Sequence, residues 1–189
     1  MQIRNVATIA GNIATASPIG DTLPLLLSLD AIIVLQDNKK KIKMPLKNFF
    51  VSYRKTRLKK GQFISSIRIP IFRKNIFKAY KISKRIDDDI SSVCASFNLA
   101  IINKKIKNIK IAYGGMAATP KRAVYCEKML LNSNFSDDII LKAQKSLEKD
   151  FQPIDDMRAS KDYRIEIAKN LLTKCFAEIK KNKLIRLSY

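Results

Sequence analysis

Between residues 93 and 119 the spacing of apolar side chains changes period, and that change limits the folds open to this chain. Val93, Ala95, Phe97, Leu99 and Ile101 alternate with smaller or polar residues, the period of two expected of a half-buried strand. Residues 103–105 read as a turn, after which Ile109, Ile111 and Tyr113 repeat the alternation. From Thr119 the spacing becomes helical. Thr119-Pro120 is predicted to open a helix through Leu131, Asp137 or Asp138 to cap a second reaching Lys149, and Ser160 to cap a long third. Along that third helix Tyr163, Ile167, Leu171 and Cys175 form one stripe. With a further strand over 77–83, the second half reads as a small antiparallel sheet followed by three helices.

The first half has a different texture. Small and turn-forming residues fill its first twenty positions, and no regular element is expected over 11–20, where Ile13 and Ile19 are the only large apolar groups. Asp21 or Thr22 can cap a helix with Pro24 in its first turn and residues 23–29 as its apolar body. Strands are predicted over 31–35 and 40–44, joined as a hairpin through Asp37-Asn38, and over 63–69, stopped by Pro70. Phe49, Phe50 and Tyr53 are expected in a short helical turn covering the sheet edge. A composition change over 71–76 suggests a joint between two lobes, so the chain is read as α+β with a first domain over 1–73 and a second over 74–189.

Composition removes whole classes of chemistry. The chain of 189 residues has no histidine and no tryptophan. Without histidine, a Ser-His-Asp triad, a Cys-His pair and most zinc enzymes are excluded. Cys94, Cys126 and Cys175 form no CxxC pair, cannot supply four thiolates to an iron–sulfur cluster, and sit within apolar patterns as core thiols. Apolar runs fall well short of a membrane span and no cleavable signal is visible, so a soluble cytoplasmic chain with no membrane partner is expected. The formal net charge is +21, from 37 basic and 16 acidic residues. It rests on 27 lysines against 10 arginines, dispersed through turns and helix faces. Specific nucleic-acid recognition favours arginine forks, and a drift toward A/T-rich codons is a sufficient cause of such lysine enrichment. No specific nucleic-acid partner is expected.

Three segments carry candidate chemistry. In Ala7-Thr8-Ile9-Ala10-Gly11-Asn12 and Ser17-Pro18-Ile19-Gly20-Asp21, small residues let a backbone approach a flat or phosphorylated ligand. Asn12 offers a donor and an acceptor, and Asp21 acceptors alone, as a sugar hydroxyl requires. Ordinary turns and a helix cap explain the same residues, and this is not a GxGxxG fingerprint. In Tyr80-Lys81-Ile82-Ser83-Lys84-Arg85 the strand period puts Lys81 on a face with Ala79 and Ser83, opposite Tyr80 and Ile82. There it could stabilise a developing anion, or simply pair at the surface. The run Asp87-Asp88-Asp89 resembles a metal cluster only superficially, because adjacent carboxylates point different ways, and no metal ligands are assigned. The segments Tyr113-Gly114-Gly115-Met116-Ala117-Ala118-Thr119-Pro120 and Asp156-Met157-Arg158-Ala159-Ser160 read as structural joints.

Taken in order with Tyr53-Arg54-Lys55-Thr56, these segments resemble the flavin-binding region of xanthine dehydrogenase, nearest to the small iron–sulfur/FAD subunit of the bacterial enzyme. The resemblance covers almost the whole chain. It implies the second half of a vanillyl-alcohol-oxidase-like (PCMH-type) FAD-binding domain over 1–73, then a domain similar to the CO dehydrogenase flavoprotein C-terminal domain. It further implies that Ala7, Thr8, Gly11, Asn12, Ser17 and Asp21 line FAD, that Ile64 packs near it and that Lys81 lies close to the isoalloxazine. In that family electrons leave a purine at a molybdenum centre, pass through [2Fe–2S] clusters to FAD, and go on to NAD+.

Two departures qualify the resemblance. Ala10-Gly11 stands where the family usually has two glycines; the added methyl crowds the cofactor, or a small backbone shift absorbs it. The Gly-rich pyrophosphate lobe and the cysteine-rich cluster domains have no counterpart in this sequence. The expected partners are therefore a segment carrying that FAD lobe and the clusters, together with a molybdenum-binding subunit. The [2Fe–2S] clusters and the molybdenum cofactor belong to those partners, and the FAD site here is incomplete. The alternative is a degenerate structural or assembly module without redox activity of its own.

Overall fold

In the computed structural model, residues 5–85 and 89–185 are described. The element order is α1 (Ile9–Thr15), α2 (Thr22–Ser28), β1 (Ile32–Gln36), β2 (Lys41–Pro45), β3 (Phe50–Ser52), β4 (Lys55–Thr56) and β5 (Phe63–Arg68). It continues with β6 (Ile76–Ile82), β7 (Val93–Ile102), β8 (Lys105–Gly114), β9 (Lys121–Arg122), α3 (Val124–Leu130), α4 (Asp137–Asp150) and α5 (Lys161–Lys181). The architecture is α+β, with a small sheet flanked by helices in the second half.

Three antiparallel strands in the order β2-β1-β5 form the first sheet. Its core gathers Ile33 and Leu35 from β1, Leu23, Leu26 and Leu27 from α2, and Ile13 from α1. The second sheet runs β6-β7-β8-β9 and is antiparallel throughout. On one side Val93, Ala95, Phe97 and Leu99 meet the helices through residues such as Leu130, Leu147, Leu172 and Phe176. Tyr80, Phe97, Tyr113 and Phe151 follow one another edge to face there, with ring centroids 5.9, 6.0 and 5.3 Å apart.

The opposite side of that sheet is covered too, so β7 is buried on both faces and not half-buried as its alternation suggests. Helix α2 packs on β7 and β8. The Ser28 and Ser96 hydroxyls lie 2.6 Å apart, Asn98 Nδ2 donates to the Ser28 carbonyl at 3.0 Å, and Ala112 of β8 joins the core of the first sheet. Small and polar residues there admit a helix closely and pair its last carbonyl, which binary patterning alone reads as solvent exposure.

Three further expectations are corrected. Residues 9–15 are helical: the Thr8 side chain caps the first turn by accepting from Gly11 N at 2.9 Å, Ile13 is buried, and Ala16 closes the helix in the left-handed region at φ 49°. Residues 50–56 form the hairpin β3–β4, and only Leu46–Asn48 is a 3-10 turn. Arg54 adopts φ 51°, which turns the chain between the two strands. Thr119-Pro120 does not open a helix, because residues 121–122 extend the sheet as β9 and the helix begins at Val124. Ser160 does cap α5, accepting from Tyr163 N at 3.2 Å. The buried stripe of α5 nevertheless starts with Arg164, while Tyr163 is exposed.

Candidate functional site

The β6 register decides what faces what. Lys81 lies opposite Cys94 and Ala79 opposite Ser96, so both lie on the side of the sheet that α2 covers. Helix α2 stops short of β6, leaving a cleft of about 230 Å³ lined by Asp21, Thr22, Leu25, Ala79, Tyr80, Lys81 and Cys94. Lys81 Nζ sits 2.9 Å from Asp21 Oδ2, with each side chain about two-fifths exposed. Asp21 Oδ1 accepts a short hydrogen bond from the Ser91 hydroxyl. Asp21 thus occupies the N-cap position of α2 without giving its side chain to the helix.

The loop before α2 brings Asn12 to the same region, since Asn12 Oδ1 accepts from the Thr22 hydroxyl. Gly20 permits this approach: a Cβ there would stand 3.1 Å from Leu23 Cδ1 and 3.4 Å from Asn12 Oδ1. Ala7, Thr8 and Gly11 are exposed, the first two just ahead of α1 and Gly11 within it, and Ser17 is half-buried in the turn that follows the helix. Ile64 is half-buried on β5, opposite Leu35 and packed on the first core; it does not line the Asp21–Lys81 cleft. Asp89 of the triple-aspartate run accepts from Arg85 N and Ile90 N, while Asp87 and Asp88 lie outside the described residues. Among the described residues no group of His, Cys, Asp and Glu could hold a metal, and no helix is long and apolar enough to cross a membrane.

Residues 78–179 match the CO dehydrogenase flavoprotein C-terminal domain, and residues 1–72 match the FAD binding domain in molybdopterin dehydrogenase. The chain belongs to the flavin-domain family of the molybdopterin dehydrogenases. It is 38% identical over 154 residues to xanthine dehydrogenase of Emericella nidulans, covering 79% of this chain and 11% of that one. It is 31% identical over 182 residues to the glyceraldehyde dehydrogenase medium chain of Sulfolobus acidocaldarius, covering 95% of this chain and 63% of that one. The carbon monoxide dehydrogenase of Hydrogenophaga pseudoflava that lacks the Mo-pyranopterin moiety superposes with a TM-score of 0.85 at 25% identity, over 90% of this chain and 60% of that one. The chain spans less than two thirds of the length of each of these relatives.

A flavin domain needs hydrogen-bonding groups and a close approach to the ligand, and this flavin domain supplies them on one side. Asn12 keeps its amide Nδ2 without a hydrogen-bond partner among the described residues, beside the exposed small residues of α1. A Cβ on Gly11 would lie 3.0 Å from Thr8 Oγ1, so glycine leaves the Thr8 cap undisturbed and the backbone open there. The residues present therefore fit one wall of an FAD site. Burial raises the thiols of Cys94 and Cys175 to about 12 and raises Cys126 as well, so all three are held protonated.

Sequence reasoning singled out Asp21 and Lys81 but passed over Thr22, Leu25, Cys94 and Ser91. Thr22 and Leu25 read as parts of a capped apolar helix, and Cys94 as core. Ser91 precedes the alternating run of β7, where no spacing marks it.

Proposed function

We propose that this chain forms one wall of the FAD site of a xanthine-dehydrogenase-like molybdenum hydroxylase. That enzyme would draw electrons from a purine at a molybdenum centre and pass them through [2Fe–2S] clusters and FAD to NAD+. The observation that carries this reading is the Asp21–Lys81 pair, set in a cleft where the two matched regions meet. A dinucleotide is larger than a cleft of about 230 Å³, so the remaining wall comes from a partner segment. Bound FAD supplies the capacity to accept and release electrons.

Each residue has a role in this reading. Ala7, Thr8 and Gly11 give a low surface against which the ligand chain lies, and Asn12 and Ser17 offer hydrogen bonds to it. Asp21 accepts from a ligand hydroxyl or N–H while holding Lys81, and Ile64, outside that cleft, adds apolar packing near the ligand from β5. Lys81 places positive charge where reduction adds negative charge to the ring, an electrostatic role and not proton abstraction.

The test is coexpression with a segment carrying the Gly-rich lobe and the cluster cysteines, and with a molybdenum-binding subunit. The complex should retain FAD by its visible absorbance and reduce NAD+ with xanthine, and the chain alone should not turn over. Lys81→Ala should cut turnover by about tenfold or more with the subunits still associated. Turnover by the isolated chain, or an unchanged rate in Lys81→Ala, would overturn the assignment. A complex that assembles without flavin would point to the structural or assembly role instead.

A further inference from the structure

Asp21 and Lys81 are both partly exposed, and an ion pair of that kind is weak and rotationally loose on its own. A carboxylate also turns readily about its last bond, where the torsional wells are broad. What fixes this one is its other oxygen, which accepts from the hydroxyl of Ser91, a residue only 1% exposed. Hydrogen bonds to ionised oxygens are the strong ones, and this bond comes from a buried donor.

Ser91 has little freedom to follow Asp21. Its neighbour Ser92 donates from N to the Ile82 carbonyl at 2.8 Å, which ties the end of β6 to the start of β7. The buried Arg164 guanidinium of α5 donates through Nη1 to the Ser92 carbonyl and, at 3.0 Å, to the Gly115 carbonyl. Its Nη2 donates to Asp156 Oδ1 at 2.6 Å. Gly115 leaves room for this junction, since a Cβ there would lie 2.2 Å from the Ser92 oxygen. The backbone beside Asp21 is held as well, with Gly115 N donating to the Pro18 carbonyl at 2.8 Å.

We propose that Ser91 is a positioning residue for the Asp21–Lys81 pair: by holding one carboxylate oxygen it turns the other toward Lys81 and fixes where the ammonium sits in the cleft. The functional consequence rests on the reading of that cleft as a flavin wall; the positioning itself does not.

The test uses the full chain with ¹⁵N-labelled lysine. An ammonium held in an ion pair exchanges its protons slowly enough to give a sharp signal, and Lys81→Gln identifies which signal belongs to Lys81. Ser91→Ala should broaden or abolish that signal while the backbone amides of β7 stay in place. An unchanged Lys81 signal would overturn the proposal. Should Ser91→Ala also disturb the β7 amides, Ser91→Thr decides, because it keeps the hydroxyl: a retained signal supports the role and a lost one overturns it. In the flavin-retaining complex, Ser91→Ala should weaken FAD retention by about fivefold. Loss of the Lys81 signal with undiminished FAD retention upholds the positioning role and counts against the flavin wall.

Discussion

Over β7 and the end of β8 the two faces of the second sheet are both buried, but by different means. The helix side is closed by large apolar groups, among them Val93, Phe97, Leu99 and Tyr113 against α3, α4 and α5. The α2 side is closed by Ser96, Asn98 and Ala112, where Ser28 meets the Ser96 hydroxyl and Asn98 Nδ2, and Asn75 donates to Asn98 Oδ1. At its rim Asp30 joins Lys110 at 2.7 Å and Arg122 at 3.1 Å, and Arg122 in turn forms a two-pronged pair with Glu127. The first face behaves as a core, where stability scales with apolar volume. The second behaves as an interface, where polar groups fix the relative placement of two units. A cleft that needs one residue from each unit, Asp21 and Lys81, depends on the second face.

The largest expected effect breaks the first face. Phe97→Ala removes one of the two inner rings of the edge-to-face series and leaves a cavity, which should cost about 3–5 kcal/mol in urea unfolding. A loss below about 1 kcal/mol would mean that the helix side is not the stabilising core.

Next comes the rim of the second face. Glu127 is buried, accepts from Ile111 N at 2.8 Å and holds Arg122. Glu127→Ala leaves the buried Ile111 N–H without its acceptor and Arg122 with Asp30 alone, and should cost about 2 kcal/mol. A smaller and sharper probe lies at the centre of that face. Ser28→Ala and Ser96→Ala should each cost about 1 kcal/mol, and the double variant should cost clearly less than their sum. Additive losses would show that the two hydroxyls do not act as a pair.

The same contrast explains what was legible in the sequence. Val93 to Ile101 and Ile109 to Tyr113 announced their strands because large side chains recur at period two; the cap at Ser160 announced α5, and the one expected at Asp137 or Asp138 announced α4 but falls a residue or two early, at Ser136. The second face gave no such signal. Ser96 and Asn98 look like the solvent side of a strand, and only the tertiary packing of α2 shows otherwise. Helix α1 was missed because it has one buried apolar residue, Ile13, and is held by the Thr8 cap. Arg164 escaped notice because a charged side chain at a core position contradicts the apolar stripe, although Asp156 and two carbonyls accept from its two Nη groups. At the site, Asp21 and Lys81 were singled out separately; sixty positions of sequence separation hid the fact that they touch, and Ser91 had no pattern to reveal it.

The smallest expected effect separates the faces by pH. Tyr80 and Lys81 are neighbours on β6 and point to opposite sides; the Tyr80 hydroxyl donates to Glu178 Oε2 at 2.9 Å on the helix side. Burial alone would raise the Glu178 carboxyl, but donation from Tyr80, Ile185 N and Lys78 outweighs it and holds the group below its ordinary 4.5. A carboxyl with a depressed folded value contributes stability above the unfolded value and loses it as pH falls through the folded one. Asp150 runs the other way: burial raises it above 3.8 despite bonds from Tyr125 N and Cys126 N, so its contribution is full below the unfolded value and fades as pH rises through the folded one. Tyr80→Phe removes one donor from Glu178 and leaves Asp150 untouched. Urea midpoints measured from pH 7 down to pH 3 should therefore start slightly lower in Tyr80→Phe and fall less steeply below about pH 4.5. An identical acid slope in the two proteins would show that Glu178 is not held down by Tyr80. A change in the Lys81 ammonium signal of the same variant would show that the two faces are coupled through β6, and would end the separation drawn between them.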